Sequence, residues 1–425
     1  MDTIFALSSG QPPAGIAVVR ISGPEAQAAL QDISGAAVPE PRRASLRHLR
    51  DAEGGLLDTA LVLWFPGPGS VTGEDLAELH LHGGRAVVAA VKLALARRPG
   101  MREAQPGEFT RRGFANGRID LSEAEGLADL LLAETELQRR SALAMADGAL
   151  SRQVARWRDD ALVYAAQIEA VLDFADEEDV ALLPEDFLVS LMGLADELQG
   201  WLIRPRAESL REGFRVTLAG PPNAGKSTLL NALVEREAAI TSTIAGTTRD
   251  VLACPVAIGG VPFTFVDTAG LRTLAQDPIE QIGIERARAE VDRADLVLWL
   301  GPEGEGPGGA WEIEAQSDRV DHIRKNTPHH RVSALTGDGI DALKRALVAH
   351  AQEALPAPGD AALNNRQHAL LAESESALRH AASESDPLLA AECLRLVRQA
   401  FDRLIGRAGT EDMLDALFGR FCIGK

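Results

Sequence analysis

The spacing of hydrophobic and polar residues changes twice along this 425-residue chain. Up to about residue 118, short β-like apolar runs at 16–21 and 60–65 alternate with Gly/Pro turns and a helical stretch near 87–97. This mixture predicts an α+β region. From about 120 to 210 the pattern is helical, with one apolar stripe at three- and four-residue steps: Val154, Trp157, Ala161, Tyr164, Ile168 and Leu172. Such a stripe is typical of a long helix that faces a core.

A central segment from about 213 to 352 contains strand-like apolar runs, and helical periodicity returns after the Pro/Gly stretch 356–359. The later stripes are Leu394, Val397, Phe401 and Leu404, then Leu414, Leu417, Phe418 and Phe421. We expect the helices before and after the central segment to pack together as one helical domain, with the central segment inserted into it. The predicted boundaries are 1–118, 119–212, 213–352 and 353–425.

A glycine-rich turn at 220–228 follows the apolar run 214–219 and precedes the helical pattern 229–233. Its sequence, Gly-Pro-Pro-Asn-Ala-Gly-Lys-Ser-Thr, predicts a phosphate-binding loop whose backbone N–H groups converge on phosphate oxygens. Lys226 then reaches the outer phosphates, and the hydroxyl of Ser227 is placed to hold Mg²⁺. An ordinary Gly/Pro turn is the alternative, but the strand before it and the helix after it disfavour that interpretation. The chain is therefore predicted to bind a nucleoside triphosphate.

Two later segments fit the same site. The apolar run 263–266 ends in Asp267, a candidate carboxylate for the Mg²⁺ shell. The small residues Thr268, Ala269 and Gly270 follow, and the N–H of Gly270 could reach the outer phosphate. Between the two motifs, the hydroxyl-rich segment 241–250 resembles a loop that orders around Mg²⁺. A polar surface loop remains the alternative for that segment.

These three segments in this order resemble the translation-factor-like GTPases. The phosphate loop with Asn223, together with Ile-Ala-Gly-Thr-Thr-Arg-Asp at 244–250, resembles the MnmE (TrmE) family of tRNA modification GTPases. Sequence motifs of the same family recur at 18–23, 72–84, 106–109 and 421–425, so the resemblance spans nearly the whole chain. It implies a multidomain protein with an α+β folate-binding N-terminal domain, an all-α helical domain and an inserted α/β P-loop GTPase domain.

The resemblance implies a GTP site made of the phosphate loop, two switch segments and two base-binding segments. The matching residues are Asn223, Ala224, Gly225, Lys226, Ser227, Thr228, Ser242, Thr243, Ile244, Ala245, Gly246, Thr247, Thr248, Asp267, Thr268, Ala269, Gly270, Asp318, Ser333, Ala334 and Leu335. Ser227 and Thr248 are the implied Mg²⁺ ligands. For K⁺ the implied ligands are Asn223 and the loop residues Ser242, Ile244 and Thr247.

Two positions depart from common GTPase patterns. Leu271 stands where many GTPases carry a water-orienting glutamine, and the resemblance points to Glu280 for that role, with Lys226 as the other catalytic residue. Helix capping is the open alternative for Glu280. The base-reading motif Asn-Lys-x-Asp is reduced to Ala315-Gln-Ser-Asp318, so we expect Asp318 to read guanine with weaker or less selective binding.

For the N-terminal region, the resemblance implies that formyl-tetrahydrofolate binds at a dimer interface. Arg20, Glu78 and Arg118 match binding positions of the family, and Lys425 is expected to reach the same pocket. Because the tail is apolar at Phe418 and Phe421, it is expected to dock on the N-terminal domain. Cys422 is a candidate for chemistry at the folate, although a packed or idle thiol is the commoner situation.

Composition and charge limit the function classes. Three widely spaced cysteines argue against a disulfide framework, and no apolar run has membrane-spanning length. We therefore expect a soluble, cytoplasmic protein with no membrane partner. The net charge of −19 by itself does not predict RNA binding, but residues 1–118 hold 13 Lys/Arg against 12 Asp/Glu, so the acidity lies elsewhere.

Taken with the resemblance, these features predict a homodimeric, K⁺-stimulated GTPase that acts with the flavoprotein MnmG. The expected product is an aminomethyl-type group on the wobble uridine of certain tRNAs. An Era- or Der-like ribosome-assembly GTPase is the main alternative, but it leaves the N-terminal region and the Cys-Ile-Gly-Lys terminus unexplained. A stand-alone folate enzyme is a weaker alternative, because it gives the nucleotide domain no task.

Overall fold

The structure is a computed structural model that describes residues 2–173, 183–234, 238–239, 253–267, 288–408, 411–419 and 421–424. Contacts divide the chain into two compact units, Met1–Ala128 with Asp402–Lys425, and Asp129–Phe401. The expected α+β, helical and α/β parts are all present, so the predicted fold class is confirmed. The exact domain boundaries remain a prediction. Within the described ranges, every helix is too short or too polar to cross a bilayer.

The first unit contains a six-stranded sheet. Its strands are β1 (Thr3–Leu7), β2 (Ile16–Ser22), β3 (Ser45–Arg50), β4 (Leu56–Phe65), β5 (Leu76–His82) and β6 (Met101–Glu103). Their order is β3-β4-β5-β2-β1-β6; β1 and β6 run parallel, and the other neighbours are antiparallel. Helices α1 (Ala26–Ser34) and α2 (Arg85–Ala96) share one core with this sheet. Alternation along β2 buries Val19 and Ile21 in that core and leaves Arg20 on the opposite face.

Three more helices complete this unit: α3 (Glu108–Ala115), the first part of α4 (Leu121–Leu132), and the C-terminal helix α13 (Glu411–Phe418). Phe418 and Phe421 pack against Leu121 in a small apolar cluster. Beyond α13, Ile423 forms an isolated antiparallel bridge with Pro106. The prediction that the C-terminal tail docks on the N-terminal region is therefore confirmed.

The second unit contains a seven-stranded sheet. Its strands are β7 (Phe214–Ala219), β8 (Ala238–Ala239), β9 (Ala253–Ile258), β10 (Val261–Asp267), β11 (Leu296–Trp299), β12 (Trp311–Glu314) and β13 (His330–Arg331). Their order is β13-β12-β11-β7-β10-β9-β8, parallel from β13 to β10 and antiparallel beyond. Helices α9 (Lys226–Val234) and α10 (Ile340–Ala354) bury leucines in the same core as Phe263 and Phe265. The carboxyl ends of the parallel strands meet at one edge, where open α/β sheets bind ligands.

The remaining helices of this unit flank the sheet in sequence. They are α5 (Glu136–Ala146), α6 (Ala149–Asp173), α7 (Phe187–Leu202), α8 (Ala207–Glu212), α11 (Asn365–Ser383) and α12 (Pro387–Leu404). Trp157 of α6 is fully buried, and its ring stacks on Phe401 of α12 with centroids 6.1 Å apart. Arg379 of α11 pairs with Asp196 of α7 at 2.9 Å. Helices that precede the sheet in sequence thus pack against helices that follow it.

Candidate functional site

The predicted phosphate loop connects β7 to α9. Gly220 has φ 147°, and a Cβ atom there would lie 3.1 Å from the backbone nitrogen of Gly301, so a side chain would be both strained and crowded. Asn223 and Gly225 also have positive φ, 61° and 92°. The turn therefore presents its backbone where α9 begins, at Lys226, and combines a nest of N–H groups with a helix N-terminus. This is the strand, loop and helix arrangement expected of an anion-binding loop.

Lys226 is 6% exposed, and its ammonium group lies within this loop. Nζ donates to the carbonyl oxygens of Gly220 at 2.9 Å and Pro221 at 2.8 Å. These bonds hold the cation over the loop, where a phosphate oxygen can replace a carbonyl as its partner. Within the loop Ala224 is buried, and Thr228 is exposed on the first turn of α9.

Ser227 and Asp267 come together at the carboxyl edge of the sheet. β7 and β10 are parallel neighbours, with Asp267 opposite Leu218. The Ser227 hydroxyl donates to Oδ2 of Asp267 at 2.5 Å, and Asp267 is 4% exposed. Hydroxyl and carboxylate oxygens are donors of the kind that a hard divalent cation such as Mg²⁺ prefers. The donor set fits the predicted metal position.

The residues predicted to bind the base follow two other strands of the same edge. Asp318 lies in the turn after β12, and Ser333, Ala334 and Leu335 follow β13. The buried Ser333 hydroxyl donates to Oδ1 of Asp318 at 2.6 Å, which orients the exposed carboxylate. Leu335 is 82% exposed. The structure thus joins Asp318 and Ser333, as the sequence predicted for one base site.

Gln316 is a residue of this region that the sequence interpretation passed over. Its Nε2 donates to the backbone oxygen of Asn223 at 3.2 Å, which connects the base-reading turn to the phosphate loop. The available signal was its place in the motif, because Gln316 stands where Asn-Lys-x-Asp carries lysine. Several other expected site residues lie outside the described residues and stay predictions: Ser242, Thr243, Ile244, Ala245, Gly246, Thr247, Thr248, Thr268, Ala269, Gly270, Glu280 and Lys425.

In the first unit, two of the expected folate residues meet on the sheet face opposite α1 and α2. Arg20 and Glu78 are directly paired across β2 and β5. Nη2 and Nε of Arg20 donate to Oε1 of Glu78 at 2.7 and 3.0 Å. Nε2 of His80 lies 3.2 Å from the other carboxylate oxygen, and the Arg20 guanidinium lies 5.9 Å from the ring centre of Phe109. The sequence interpretation assigned no role to His80 or to Phe109, whose positions follow from strand register and from the packing of α3.

The other expected folate residues are placed differently. Arg118 lies beside the turn that leads into β5, where a Cβ on Gly73 would be 3.3 Å from the Arg118 side chain. Cys422 is exposed, and Ile423 lines a cavity of about 330 Å³ that also contains Leu7 and Lys92. The tail therefore reaches the sheet that carries Arg20, through its contact beside β6.

The first strand of the parallel part of the sheet leads into a phosphate loop, the neighbouring strand ends in an acid, and an aspartate follows at the predicted base-binding position. This arrangement is that of the P-loop GTPases. Two family models match the chain, "GTP-binding protein TrmE N-terminus" over residues 3–118 and "MnmE helical domain" over residues 121–422. The chain belongs to the MnmE family of tRNA modification GTPases. The resemblance inferred from the sequence is confirmed.

Similar full-length relatives carry the same description. The tRNA modification GTPase MnmE of Novosphingobium aromaticivorans is 63% identical and that of Erythrobacter litoralis 62% identical, each with 100% of both chains covered. The Zymomonas mobilis protein is 49% identical over the same full coverage. Among solved structures, the G domain of the T. maritima FeoB iron transporter covers 32% of this chain at 23% identity with a TM-score of 0.24, a likeness too weak to carry an argument. Full-length matches to MnmE proteins disfavour the Era- or Der-like alternative.

Proposed function

We propose that this protein is a potassium-stimulated GTPase that works with the flavoprotein MnmG to install a 5-aminomethyl-type (carboxymethylaminomethyl) group on the wobble uridine of certain tRNAs. One observation carries the proposal. A single chain of this family combines a phosphate loop in which Ser227 meets Asp267 with an N-terminal sheet on which Arg20 meets Glu78. The first site suits nucleotide hydrolysis and the second suits a folate carrying one carbon.

Nucleotide binding begins at the phosphate loop. The N-terminus of α9 and the loop N–H groups bind phosphate oxygens, and Lys226 exchanges its carbonyl partners for the outer phosphates. Ser227 and Thr248 are the proposed Mg²⁺ ligands, and Asp267 orients the hydroxyl of Ser227 by accepting its hydrogen bond. Mg²⁺ supplies charge neutralisation between the outer phosphates. Asp318, held by Ser333, accepts hydrogen bonds from guanine.

The water nucleophile needs a hydrogen-bonding partner, and Leu271 cannot provide one. We assign that role to Glu280, whose carboxylate orients water for in-line attack, directly or through a second water. Replacement of Glu280 by Ala is expected to lower GTP turnover and to leave nucleotide affinity nearly unchanged. A loss of affinity in that variant would indicate a structural role instead.

The sequence offers no obvious candidate for an arginine finger at the outer phosphate, and K⁺ is proposed to supply that positive charge. Asn223 contributes a side-chain oxygen, and Ser242, Ile244 and Thr247 contribute loop oxygens. Oxygen ligands suit this cation. Asn223 lies exposed at the tip of the phosphate loop, and its hydrogen bond to Gln316 uses the backbone oxygen rather than the side-chain amide.

At the folate site, Arg20 and Arg118 are the proposed partners of folate carboxylates or ring oxygens, and Lys425 completes the pocket. Glu78 accepts from the amino edge of the pterin, and Arg20 fixes its orientation through two hydrogen bonds. The tetrahydrofolate derivative supplies the one-carbon unit. The assembly is proposed to be a cytoplasmic homodimer that binds MnmG and tRNA, with the flavin carried by MnmG.

Mass spectrometry of tRNA nucleosides tests this function. A deletion strain is complemented with the wild-type gene, with Arg20→Ala, or with Arg43→Ala, whose guanidinium pairs with Glu40 on the exposed surface. The wild type and the Arg43 variant should restore the wobble modification, whereas the Arg20 variant should not. Full modification in the deletion strain itself would contradict the proposed function. Full modification with Arg20→Ala would instead remove Arg20 from the folate site.

A further inference from the structure

The outermost strand of the first sheet carries a stretch of basic residues. β3 stands at the end of the strand order and, among the described strands, pairs with β4 alone. Residues 41–50, which lead into this strand and form it, contain four arginines and one histidine but neither Asp nor Glu. The chain as a whole has a net charge of −19, so this edge of the sheet carries a charge of the opposite sign.

Three arginines of this stretch have no carboxylate partner among the described residues. Of the 13 Lys/Arg side chains in residues 1–118, eight pair with an Asp or Glu. The five that do not are Arg42, Arg47, Arg50, Arg85 and Arg118. Arg118 belongs to the proposed folate site, and Arg85 begins α2. The other three, Arg42, Arg47 and Arg50, fall within nine residues along one edge, and we call them the basic edge.

Arg42 is held in place by uncharged groups. Its φ is 63°, a left-handed conformation that is unfavourable for a residue with a Cβ atom. Its N–H donates to the carbonyl of Trp64 at 2.9 Å, and Nη2 donates to the carbonyl of Gly69 at 2.5 Å. The guanidinium lies 5.5 Å from the centre of the Phe65 ring. These contacts fix the position of an exposed cation and leave its charge uncompensated, because a carbonyl and an aromatic ring have no net charge.

Arg47 and Arg50 are directed by backbone carbonyls in the same way. Nη1 of Arg47 donates to the carbonyl of Leu46 at 3.0 Å, and Nη1 of Arg50 donates to that of Gly54 at 2.9 Å. A guanidinium has five N–H donors, so each side chain keeps donors that an anion can use. The basic edge is therefore a row of positioned cations rather than a set of ion pairs.

Edge protection alone does not account for this row. Charged side chains on an edge strand prevent pairing with another sheet, and acids serve that purpose as well. Here the flanking acids are engaged, because Glu40 pairs with Arg43 and Asp51 accepts from the N–H of Gly55 at 2.6 Å. Two such edges side by side would bring arginines against arginines, which disfavours a second copy of the chain as the occupant. A partner with a row of negative charges complements the edge instead.

We propose that the basic edge binds the phosphate backbone of the tRNA substrate, with its three arginines on separate phosphates. The inference rests on the proposed function, from which it takes tRNA as the partner, and adds the surface that binds it. A strand rises about 3.3 Å per residue, so the three side chains span roughly 20–25 Å and reach more than one phosphate. Phosphate contacts position a nucleic acid without reading its bases. The basic edge therefore contributes affinity and orientation rather than base selection.

The test measures binding of a fluorescein-labelled tRNA transcript with a wobble uridine to the full-length chain. Fluorescence anisotropy is recorded between about 50 and 200 mM NaCl, which avoids the effect of K⁺ on the nucleotide site. Each phosphate contact contributes about 0.7–0.9 to the slope of log K against log[NaCl]. The triple variant Arg42→Gln/Arg47→Gln/Arg50→Gln should therefore lower the magnitude of that slope by about 2–3 and weaken binding roughly tenfold or more at about 100 mM NaCl.

A second triple variant, Arg139→Gln/Arg140→Gln/Arg395→Gln, removes the same three charges elsewhere. These exposed arginines pair with glutamates on their own helices. This control should bind tRNA within about twofold of the wild type and with the same salt slope. Both triple variants should keep the wild-type GTP turnover, which also shows that they are folded.

The single variants Arg42→Gln and Arg50→Gln, at exposed positions, keep the inference falsifiable where the triple variant fails to fold. Each should lower the magnitude of the salt slope by about 0.7–0.9. An unchanged slope in these variants would overturn the inference, and so would an equal loss of affinity in the control. A changed oligomeric state in sedimentation, with wild-type tRNA affinity, would assign the edge to a second copy instead. Absence of tRNA binding by the wild-type chain would also overturn the inference, whereas the modification function is judged separately by the nucleosides of the deletion strain.

Discussion

Asp318 stands in a base-reading motif that has lost its other two recognition residues. The structure compensates at the level of single side chains, because Ser333 orients the carboxylate and Gln316 joins its turn to the phosphate loop. Ser333 comes from another segment and Gln316 from the same turn, so that the remaining aspartate is an acceptor held in one orientation. Guanine recognition should therefore depend strongly on the charge and acceptor geometry of this one residue.

We expect Asp318→Asn to weaken GTP binding and to strengthen binding of xanthosine triphosphate, since one acceptor of the side chain becomes a donor. The ratio of the two dissociation constants should change by at least roughly tenfold, because a site built for one donor pattern rejects the other. Competition titrations with a fluorescent nucleotide measure the ratio. Asp321→Asn is the control, as Asp321 pairs with Arg319 on the surface. An unchanged ratio for Asp318→Asn, with a changed one for Asp321→Asn, would move the base reader to Asp321.

At the scale of elements, α3 is fastened to its sheet by an ionic cluster at its first residue. Arg102 of β6 donates to both oxygens of Glu108, at 2.8 and 2.5 Å, and Arg112 donates to the same carboxylate at 3.0 Å. Arg112 also pairs with Asp2 and Glu74. Burial raises the pKa of Glu108, but the hydrogen bonds from Arg102, the Gln105 N–H and Arg112 outweigh it and leave that pKa below its ordinary value of 4.5.

This cluster makes the stability of the first unit sensitive to acid. Because the folded-state pKa of Glu108 is depressed, its stabilising contribution is present above the unfolded-state value and is lost as pH falls through the folded-state value. Glu108→Gln should lower the free energy of unfolding by about 1–3 kcal/mol at pH 7 and by less at pH 3. Denaturant titrations at the two pH values measure the difference. Glu53→Gln, whose carboxylate is 72% exposed and 4.0 Å from Arg97, should have no measurable effect at either pH. Equal losses for Glu108→Gln at both pH values would contradict the assignment.

The C-terminal tail is the second element whose role depends on where it docks. Deletion of Cys422–Lys425 removes the bridge between Ile423 and Pro106 and the proposed contact of Lys425 with the folate. We expect this deletion to abolish wobble-uridine modification in cells and to weaken formyl-tetrahydrofolate binding in calorimetry, while GTP hydrolysis stays close to normal. Lys425→Ala should weaken folate binding without removing the bridge. Cys422→Ser should leave folate binding unchanged, as expected of an idle thiol. Full modification by the truncated protein would restrict the folate site to the N-terminal residues.

At the scale of the whole molecule, the acidic charge of −19 attracts cations without selecting among them. A specific potassium site must therefore be distinguished from general ionic effects. At matched ionic strength, GTP turnover in K⁺ should exceed that in Na⁺ by about 10²-fold or more, as expected for a well-placed charge at the transition state. Asn223→Gly should remove most of this difference, since glycine accepts the φ of 61° and removes the side-chain oxygen proposed to bind K⁺. Equal wild-type rates in the two salts would refute the potassium assignment.

Much of this protein is determined by local sequence. Short segments determine the phosphate loop, the acid at the end of β10 and the apolar stripes of α6 and α12. Backbone propensity and hydrophobic periodicity act over only a few residues, so each feature can be recognised within its own segment. Val154, Trp157 and Phe401 are buried as their spacing predicted. Motifs of the family near both ends of the chain also identified the N-terminal region. Composition and charge alone do not connect that region with tRNA.

Tertiary structure decided which distant side chains meet. The pairing of β2 with β5 brought Arg20 to Glu78, and the same register added His80 to that carboxylate. The parallel order of β12, β11 and β7 brought the Gln316 turn beside the phosphate loop. Such contacts depend on strand register and chain crossings over tens of residues, where no local periodicity carries information. The sequence by itself therefore determined the class of chemistry, whereas the fold decided which neighbours hold its residues in position.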